Sequence, residues 1–292
     1  MSDEFRPRRS VLYMPASNER ALEKATTIAA DAIIFDLEDA VAPDAKDAAR
    51  ANAVAAVSSG RYGHRELTIR CNGLDTPWGI DDLAAAAQTP AAAVVVPKVS
   101  SADQVDEITR RLDAAGAHPG MRIWAMIETP AAVLDARAIA SHWRVGAIVM
   151  GTNDLARELR SSLGAPGRHP LVPHLATALL AAREAGRTAL DGVYNDVRDL
   201  DGFRVECVQG FEMGFDGKTL IHPGQVDICN ETWAPSAADI EHAERVIAAF
   251  DAAAAEGRGV VTVDGRMIEN LHVDNARRVL ATAAAIARLG AA

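Results

Sequence analysis

The sequence RIWAMIETPAAVLDARAIASHWRVGAIVMGTND, at residues 122–154, decides the fold. It contains two short apolar runs, 122–130 and 145–154, and each of them ends in polar residues. Runs of this length and composition are typical of buried strands, and the alanine-rich segment between them favours a helix. A strand, a helix and a second strand predict a parallel βαβ unit, because the crossover returns the chain to the same edge of the sheet.

The same pattern is repeated along most of the chain. Runs that predict strands occur at 10–16, 32–39, 66–73, 92–99, 122–130, 145–154, 188–196 and 215–223. Amphipathic segments lie between them, for example at 19–30, 45–58 and 102–115. Eight such units have the dimensions of a closed barrel, so we predict an α/β fold with a (β/α)₈ TIM barrel at residues 8–235.

A doubly wound open sheet is the alternative to the barrel. Such a sheet normally has five or six strands and a glycine-rich first turn that binds a dinucleotide. The first turn of this chain reads MPASNER, at residues 14–20, and contains no glycine. The strand count and this turn both favour the closed barrel.

The pattern changes after Trp233. Pro235 and Ser236 predict a stop followed by a new helix that ends near Glu256. A β-hairpin that turns at Asp264 and Gly265 is expected next, and then a helix over about 273–289. We predict that residues 236–292 form a C-terminal helical and hairpin extension that packs on the barrel or on a neighbouring subunit.

Composition and charge restrict the class of protein. The 292 residues include 40 acidic and 30 basic side chains, which gives a net charge of −10 and argues against a nucleic-acid partner. The sequence has neither a secretory leader nor an apolar run long enough to cross a membrane, so no membrane partner is expected. Cys71, Cys207 and Cys229 have no paired spacing, and a reducing, cytoplasmic location is predicted.

The active site of a barrel lies at the carboxyl ends of its strands. Carboxylates that crowd one rim raise each other's pKa unless a cation lies between them, and Mg²⁺ commonly binds one or two protein carboxylates. The polar residues at the predicted strand ends are Asp36, Glu38, Asp39, Arg70, Asn72, Lys98, Glu128, Asn153, Asp154, Asn195, Asp196 and His222.

Glu128 and Asp154 are the strongest candidates for the ligands of this cation. Each follows an apolar strand, and the two strands are consecutive, so the carboxylates are expected to be neighbours. The alternative is that each carboxylate caps the helix that follows it, and for Asp154 that alternative is serious because the helical sequence DLARELR begins there. We predict that the pair binds Mg²⁺.

Three basic residues at the rim each have two interpretations. Arg70 either forms an ion pair with Glu38 or Asp39, or binds a carboxylate or carbonyl oxygen of the substrate. Lys98 is a Schiff-base candidate if burial lowers its pKa, but a structural ion pair is favoured. His222 is either a base or, as expected for a histidine before Pro-Gly, the residue that closes a turn. Zinc spacing, phosphate loops and Rossmann motifs are absent from the sequence.

Several motifs together resemble one known family. LYMPASNERALEKA, FDLEDAV, IRCNG, VVPKV, MIETP, GTNDLA and IHPGQ follow each other in this order. The set, from residue 9 to about 289, resembles the citrate lyase beta-subunit-like and malyl-CoA lyase group of the HpcH/HpaI aldolase superfamily. The resemblance implies a trimeric or hexameric barrel whose C-terminal extension reaches over a neighbour's active site. It also implies Mg²⁺-dependent cleavage or formation of a carbon–carbon bond in 3-hydroxyacyl-CoA esters.

The resemblance implies roles for individual residues. Glu128 and Asp154 match the metal ligands, Glu128 also contacts the substrate, and Asn153 is expected to bind the substrate. Arg70 matches an arginine that binds the substrate and stabilises an enolate, Glu38 and Asp39 match an acidic pair near the metal, and Lys24 matches a basic residue near the CoA phosphates. In the run GRMIEN, Glu269 stands where the family commonly has an aspartate. Glu269 is either an acid/base with a longer reach or a solvent-facing side chain.

The predicted function is therefore a Mg²⁺-dependent lyase that acts on a malyl-, citramalyl- or citryl-type CoA thioester and releases a 2-oxo acid. Two alternatives stay open. One is a metal-dependent aldolase that acts on free 2-oxo acids without CoA. The second is a lyase subunit that requires an acyl-carrier partner.

Overall fold

The computed structural model describes residues 6–164, 166–255 and 260–291. Contacts between residues divide the chain into two compact units. The first runs from Arg8 to Thr232, and the second contains the described residues from Trp233 onward together with Arg6 and Pro7.

The first unit is a closed barrel of eight parallel strands in chain order. Strand β8 pairs with β1 through Ser10 and Lys218, and this pairing closes the barrel. Each predicted strand segment contains one strand of the barrel, so the closed barrel is confirmed and the open sheet is excluded. The strands are β1 (Ser10–Pro15), β2 (Ala32–Asp36), β3 (Glu66–Arg70), β4 (Ala93–Val96), β5 (Arg122–Ile127), β6 (Val145–Met150), β7 (Thr188–Asp191) and β8 (Gly217–Leu220).

At least one helix follows each strand of the barrel. The helices are α1 (Glu19–Ala25), α2 (Lys46–Ser58), α3 (Gly79–Ala87), α4 (Ala102–Ala114), α5 (Pro130–Leu134), α6 (Ala136–Ser141), α7 (Thr152–Leu159), α8 (Val172–Glu184), α9 (Leu200–Met213) and α10 (Val226–Thr232). The first helix is shorter than the predicted segment 19–30. It ends early because the hydroxyls of Thr26 and Thr27 donate to the carbonyls of Glu23 and Lys24, which satisfies acceptors that a longer helix would use.

The interior of the barrel is filled by side chains from alternate positions of its strands. Ile34, Val95, Trp124, Val149 and Leu190 belong to one buried apolar cluster. Their strands are short and rich in β-branched residues, which fit a sheet that is covered on both faces. The filled interior leaves the carboxyl-terminal rim as the place for a ligand.

The second unit consists of α11 (Ala237–Ala255), β9 (Val261–Val263), β10 (Arg266–Ile268) and α12 (Asn270–Ala291). The two strands form an antiparallel hairpin that turns, as predicted, at Asp264 and Gly265, which have φ angles of 49° and 77°. The predicted helix end near Glu256 lies outside the described residues. Val246 of α11, Val263 and Ile268 of the hairpin and Val273 of α12 are buried together, so the unit has an apolar core. Among the described helices, none has the length and apolar character needed to cross a bilayer.

Candidate active site

A cavity of about 320 Å³ lies at the carboxyl ends of the barrel strands. Most of its polar lining comes from residues at the ends of β2, β3, β5 and β6 and from the loop after β7. Parallel strands bring these ends to one rim, which is why residues far apart in the sequence meet here. Its charged and amide side chains include Asp36, Asp39, Arg70, Glu128, Asn153, Asp154 and Asn195.

The structure brings most of the predicted site residues together. Glu38 contacts Arg70 from the side of the β2–α2 loop. Lys24 is exposed on α1 and does not belong to the cavity lining, and Glu269 lies in the second unit. His222 accepts a hydrogen bond from the Gly224 N–H at 3.1 Å, so it closes a turn as one interpretation predicted.

Arg70 is held by Asp36, a partner that the sequence interpretation did not assign to it. Nε donates to Asp36 Oδ1 at 2.7 Å, and Nη2 donates to Asp36 Oδ2 at 2.6 Å. The remaining nitrogen, Nη1, lies 2.9 Å from Glu38 Oε2 and 3.8 Å from Asp39 Oδ2. The ring of Tyr13 covers one face of the guanidinium, with its centroid 4.6 Å from Cζ. A two-point ion pair and a stacked ring fix the plane of the arginine.

Asp36 also organises the loop that follows β2. Its Oδ1 accepts from the Glu38 N–H at 2.9 Å, and its Oδ2 accepts from the Ala40 N–H at 3.2 Å. One buried carboxylate therefore holds both the arginine of β3 and the backbone of its own loop. This arrangement directs Glu38 towards Arg70.

The environment of Glu38 changes its acidity. Burial raises the pKa of Glu38 to about 7; Arg70 opposes this rise, and the negative charges of Asp39 and Asp36 add to it. A carboxyl group with this pKa exchanges a proton close to neutral pH, which is the range in which a general base is effective.

Glu128 is buried at the end of β5, with 2% of its surface exposed. Its Oε1 accepts from the Lys98 N–H at 2.7 Å. Lys98, which donates this hydrogen bond, has a φ of 53°, in the left-handed region that non-glycine residues rarely adopt. Burial, with the charge of Glu38 and then that of Asp154 adding to it, raises the pKa of Glu128 to about 7, while the Lys98 hydrogen bond opposes the rise.

Gly151 makes room for the Glu128 side chain. A Cβ atom at position 151 would lie 2.2 Å from Glu128 Oε2 and 2.4 Å from Glu128 Cβ. Any larger residue at this point would displace the carboxylate. The glycine of the GTND sequence is therefore required by the packing of the previous strand end.

Asp154 lies in the first turn of α7, where it forms an ion pair with Arg157. The residue that caps this helix is Gly151, and Thr129 caps α5 by accepting from the Ala132 N–H at 3.0 Å. The alternative interpretation, that Asp154 or Glu128 caps the following helix, is therefore wrong. Both carboxylates are directed to the cavity, which both of them line.

This donor set fits a hard divalent cation. Burial is the main cause of the raised pKa of Glu128, and the negative charges of Glu38 and Asp154 add to it; a cation at the cavity would relieve that repulsion. Within residues 6–164, 166–255 and 260–291, no group of three or more His, Cys, Asp or Glu side chains is arranged to hold a metal ion. Two carboxylates, with substrate and water at the remaining positions, are a usual set for Mg²⁺.

Asn72 was expected at the rim, but it lies buried beneath it. Its Nδ2 donates to the Leu37 carbonyl at 2.9 Å and to Asp82 Oδ2 at 2.6 Å, and its Oδ1 accepts from Lys46. Sequence reasoning missed Lys46 and Asp82. The signal for Lys46 is its spacing, because it shares the buried face of α2 with Ala49, Ala53 and Val57.

Asn153 and Asn195 form a reciprocal amide pair. Asn153 Nδ2 donates to Asn195 Oδ1 at 3.1 Å, and Asn195 Nδ2 donates to Asn153 Oδ1 at 2.8 Å. The pair joins the loop after β7 to the start of α7, and both side chains line the cavity.

A parallel eight-stranded barrel with a carboxylate-rich cavity at its carboxyl rim is the architecture of an α/β-barrel enzyme. Residues 9–223 match the HpcH/HpaI aldolase/citrate lyase family, and the chain belongs to this family. The resemblance inferred from the motifs is therefore confirmed, and the protein is an enzyme of the lyase class that this family defines.

Three relatives illustrate the similarity. The chain is 52% identical over 291 residues to a (3S)-malyl-CoA thioesterase of Cereibacter sphaeroides, with 100% of both chains covered. It is 38% identical over 284 residues to citrate lyase subunit beta of Escherichia coli, covering 95% of this chain and 94% of the relative. The crystal structure of CitE from Mycobacterium tuberculosis with magnesium, acetoacetate and coenzyme A has a TM-score of 0.78 and 31% identity, covering 95% of this chain and 98% of that chain.

Proposed function

We propose that the protein is a Mg²⁺-dependent lyase that acts on a malyl-type CoA thioester. The bond between the hydroxyl-bearing carbon and the α-carbon of the thioester breaks, which gives a 2-oxo acid and an acyl-CoA enolate that takes up a proton. The observation that carries the proposal is the convergence of the Arg70 guanidinium and the Glu128 and Asp154 carboxylates on one cavity. Relatives named for malyl-CoA and citrate support the substrate class.

Glu128 and Asp154 are the proposed metal ligands, with Glu128 also against the substrate. When bound, the ion supplies Lewis-acid polarisation of the oxo group of the 2-oxo acid. The magnesium and coenzyme A of the mycobacterial CitE complex support this cofactor and this ligand.

Arg70 supplies positive charge where the thioester oxygen becomes negative as the bond breaks. Asp36 and Tyr13 hold the guanidinium in place before the substrate binds, so little reorganisation is needed during the reaction. Glu38, with its pKa of about 7, is the proposed acceptor of the substrate's hydroxyl proton, and Asp39 is the second member of the acidic pair at the rim.

The remaining predicted roles extend this proposal. Asn153 binds the substrate at the mouth of the cavity, and Lys24 contacts the CoA phosphates. Glu269 returns a proton to the enolate carbon from the extension of a neighbouring copy in a homotrimer or hexamer.

Thioester hydrolysis is the second candidate. The 52% identity over the whole chain to a protein named as a (3S)-malyl-CoA thioesterase favours it. In that reaction water attacks the thioester carbonyl, and the products are a free hydroxy acid and CoA. Glu38 would then activate the water, and Arg70 would stabilise the oxyanion.

The test is a product analysis with the purified full chain. Malyl-, citramalyl- and citryl-CoA are each incubated with Mg²⁺ or with EDTA, and a 2-oxo acid, an acyl-CoA and a free CoA thiol are measured separately. The lyase proposal expects a 2-oxo acid and an acyl-CoA in equal amounts, and only with Mg²⁺. Free CoA thiol with no 2-oxo acid would contradict the lyase proposal and indicate thioester hydrolysis instead.

The same assay distinguishes the lyase from an aldolase and from a complex subunit. Cleavage of a free 4-hydroxy-2-oxo acid, with no reaction of any CoA ester, would indicate the CoA-independent aldolase. Activity that begins only after an acyl-carrier protein is added would indicate a subunit of a larger complex. The Glu128→Gln variant is the negative control, because it retains the size of the side chain and removes its charge.

A further inference from the structure

Lys46 lies beneath the loop that joins β2 to α2. Its Nζ donates to three oxygens at 2.7 Å each, the carbonyls of Leu37 and Glu38 and the side-chain Oδ1 of Asn72. The residue is 6% exposed, and Nζ lies 5.2 Å from the centroid of the Trp78 ring. An ammonium group with three short hydrogen bonds has used all of its donors.

The two carbonyls that Lys46 binds flank the Cα atom of Glu38. The Leu37 carbonyl belongs to the peptide plane before this Cα, and the Glu38 carbonyl belongs to the plane after it. Because each peptide is planar, fixing both carbonyls fixes the φ and ψ angles of Glu38 and therefore the direction of its Cα–Cβ bond, from which the side chain extends. That side chain lies 2.9 Å from Arg70 Nη1.

Asn72, one of the three acceptors of Lys46, is held in place by further buried hydrogen bonds. Asn72, which accepts from Lys46, also donates to the Leu37 carbonyl, and its N–H and Nδ2 both donate to Asp82 Oδ2. Asp82 accepts in turn from Arg50 Nε at 2.7 Å. A buried polar network with this many satisfied groups holds one geometry and resists displacement.

We propose that Lys46 is a positioning residue of this enzyme, which sets the direction of the Glu38 carboxylate towards Arg70 by binding the carbonyls on both sides of Glu38. The inference rests on the proposed function for its consequence in catalysis. Its structural part concerns the β2–α2 loop alone and can be tested without a substrate.

The test compares Lys46→Met with the wild type. Methionine retains an unbranched side chain of nearly the same length, but it removes the ammonium group with its three donors and its cation–π contact with Trp78. We expect kcat to fall about 30-fold while KM changes less than threefold, because the loss is in the alignment of a reacting group. The affinity for Mg²⁺, measured by calorimetry, is expected to stay within about twofold, since Glu128 and Asp154 follow different strands.

Arg144→Met is the matched control. Arg144 is fully buried and donates to the Met121 carbonyl, but it lies just before β6, at the opposite end of the barrel. Both variants remove a buried charged side chain and are expected to lose stability, but kcat is expected to stay unchanged in Arg144→Met. If kcat fell equally in both variants, the effect of Lys46 would be general destabilisation and the proposal would be wrong.

Amide hydrogen exchange tests the positioning role of Lys46 independently of the proposed reaction. In Lys46→Met, the amides of Glu38 and Ala40 are expected to exchange at least about tenfold faster than in the wild type, while residues 145–155 are unchanged. Faster exchange in a protein that cleaves no CoA ester would retain the positioning role and reject the reaction. Unchanged exchange would reject the positioning role whatever the reaction is.

Lys46→Arg provides the test if Lys46→Met does not fold. A guanidinium retains the charge and the donors, but it cannot place three hydrogens around one nitrogen. We expect its kcat to fall about fivefold and the Glu38 amide to exchange faster. Wild-type values of both quantities in this variant would overturn the proposal.

Discussion

Arg70 and Asp36 face each other in the register of β3 and β2 and form a two-point ion pair, with donor–acceptor distances of 2.7 and 2.6 Å. Both residues are the last of their strands. The pair occupies one edge of the guanidinium and leaves Nη1 beside Glu38. The backbone pairing of two strands therefore determines which edge of the arginine is available at the cavity.

Asp36→Asn is expected to reduce kcat/KM by about 100-fold. The amide retains the size of the side chain, but it carries no charge and cannot accept from Nε and Nη2 together, so the arginine is no longer held. Removing one partner of a buried ion pair also lowers the free energy of unfolding by about 3 kcal/mol. Steady-state kinetics and urea denaturation measure the two effects.

The chain contains a matched control for this variant. Asp31 accepts from Arg9 Nε and Nη2 at 2.9 and 2.8 Å, just before the start of the strand that ends with Asp36. Asp31→Asn should lower stability by a similar amount without affecting kcat/KM. An equal loss of activity in both variants would mean that Asp36 acts only through stability.

Glu128→Gln and Asp154→Asn are each expected to weaken Mg²⁺ binding by at least about 100-fold, because each removes one of two charged ligands. Calorimetric titration with Mg²⁺ measures this without a substrate. Glu158→Gln, at an exposed glutamate of the same helix as Asp154, is the control and should bind Mg²⁺ like the wild type. Normal Mg²⁺ affinity in both Glu128→Gln and Asp154→Asn would show that these residues are not the metal ligands.

Gly151→Ala is expected to impair the site through packing alone. The added Cβ would overlap Glu128 Oε2 and Cβ, so either the β5 end or the start of α7 must shift, at a cost of about 1–3 kcal/mol in stability. The expected result is at least about tenfold weaker Mg²⁺ binding, measured by the same titration. Gly164→Ala is the control, because a Cβ at that position would have its nearest neighbour at 3.8 Å.

The barrel could be predicted because each strand has a local signal. Short apolar runs of β-branched residues alternate with helical segments, and the order of the chain then decides which strands are neighbours. Arg70, Glu128 and Asp154 followed from the same reasoning, since residues at the ends of parallel strands share one rim. These predictions required no knowledge of loop conformation.

Loop conformation is what the sequence could not provide. Asn72 lies only two residues beyond the end of β3, but the chain turns there and the side chain enters the network below the rim. Lys46 begins an amphipathic helix, where a lysine is normally solvated, and its role depends on carbonyls of a different loop. The pairing of Asp36 with Arg70 could not be predicted either. Glu38 and Asp39 are carboxylates in the same loop, and the sequence does not show which carboxylate the arginine contacts.

Glu38 predicts a specific dependence of stability on pH. Its pKa in the folded protein is about 7, against an ordinary value of 4.5. Because the folded pKa is raised, the stabilising contribution of the protonated carboxyl is complete below pH 4.5 and is lost as the pH rises through 7. Glu38→Gln retains a neutral side chain at every pH, so it does not lose this contribution.

Urea denaturation of the metal-free wild type and of Glu38→Gln at about pH 5 and about pH 8.5 measures the difference. The two proteins should have similar stability at the lower pH, and Glu38→Gln should be more stable at the higher pH by on the order of 2 kcal/mol. Glu212→Gln, at an exposed position of α9, corrects for the general effect of removing one negative charge. A separation between wild type and Glu38→Gln that is the same at both pH values would show that Glu38 ionises with an ordinary pKa, and it would remove Glu38 as a base near neutral pH.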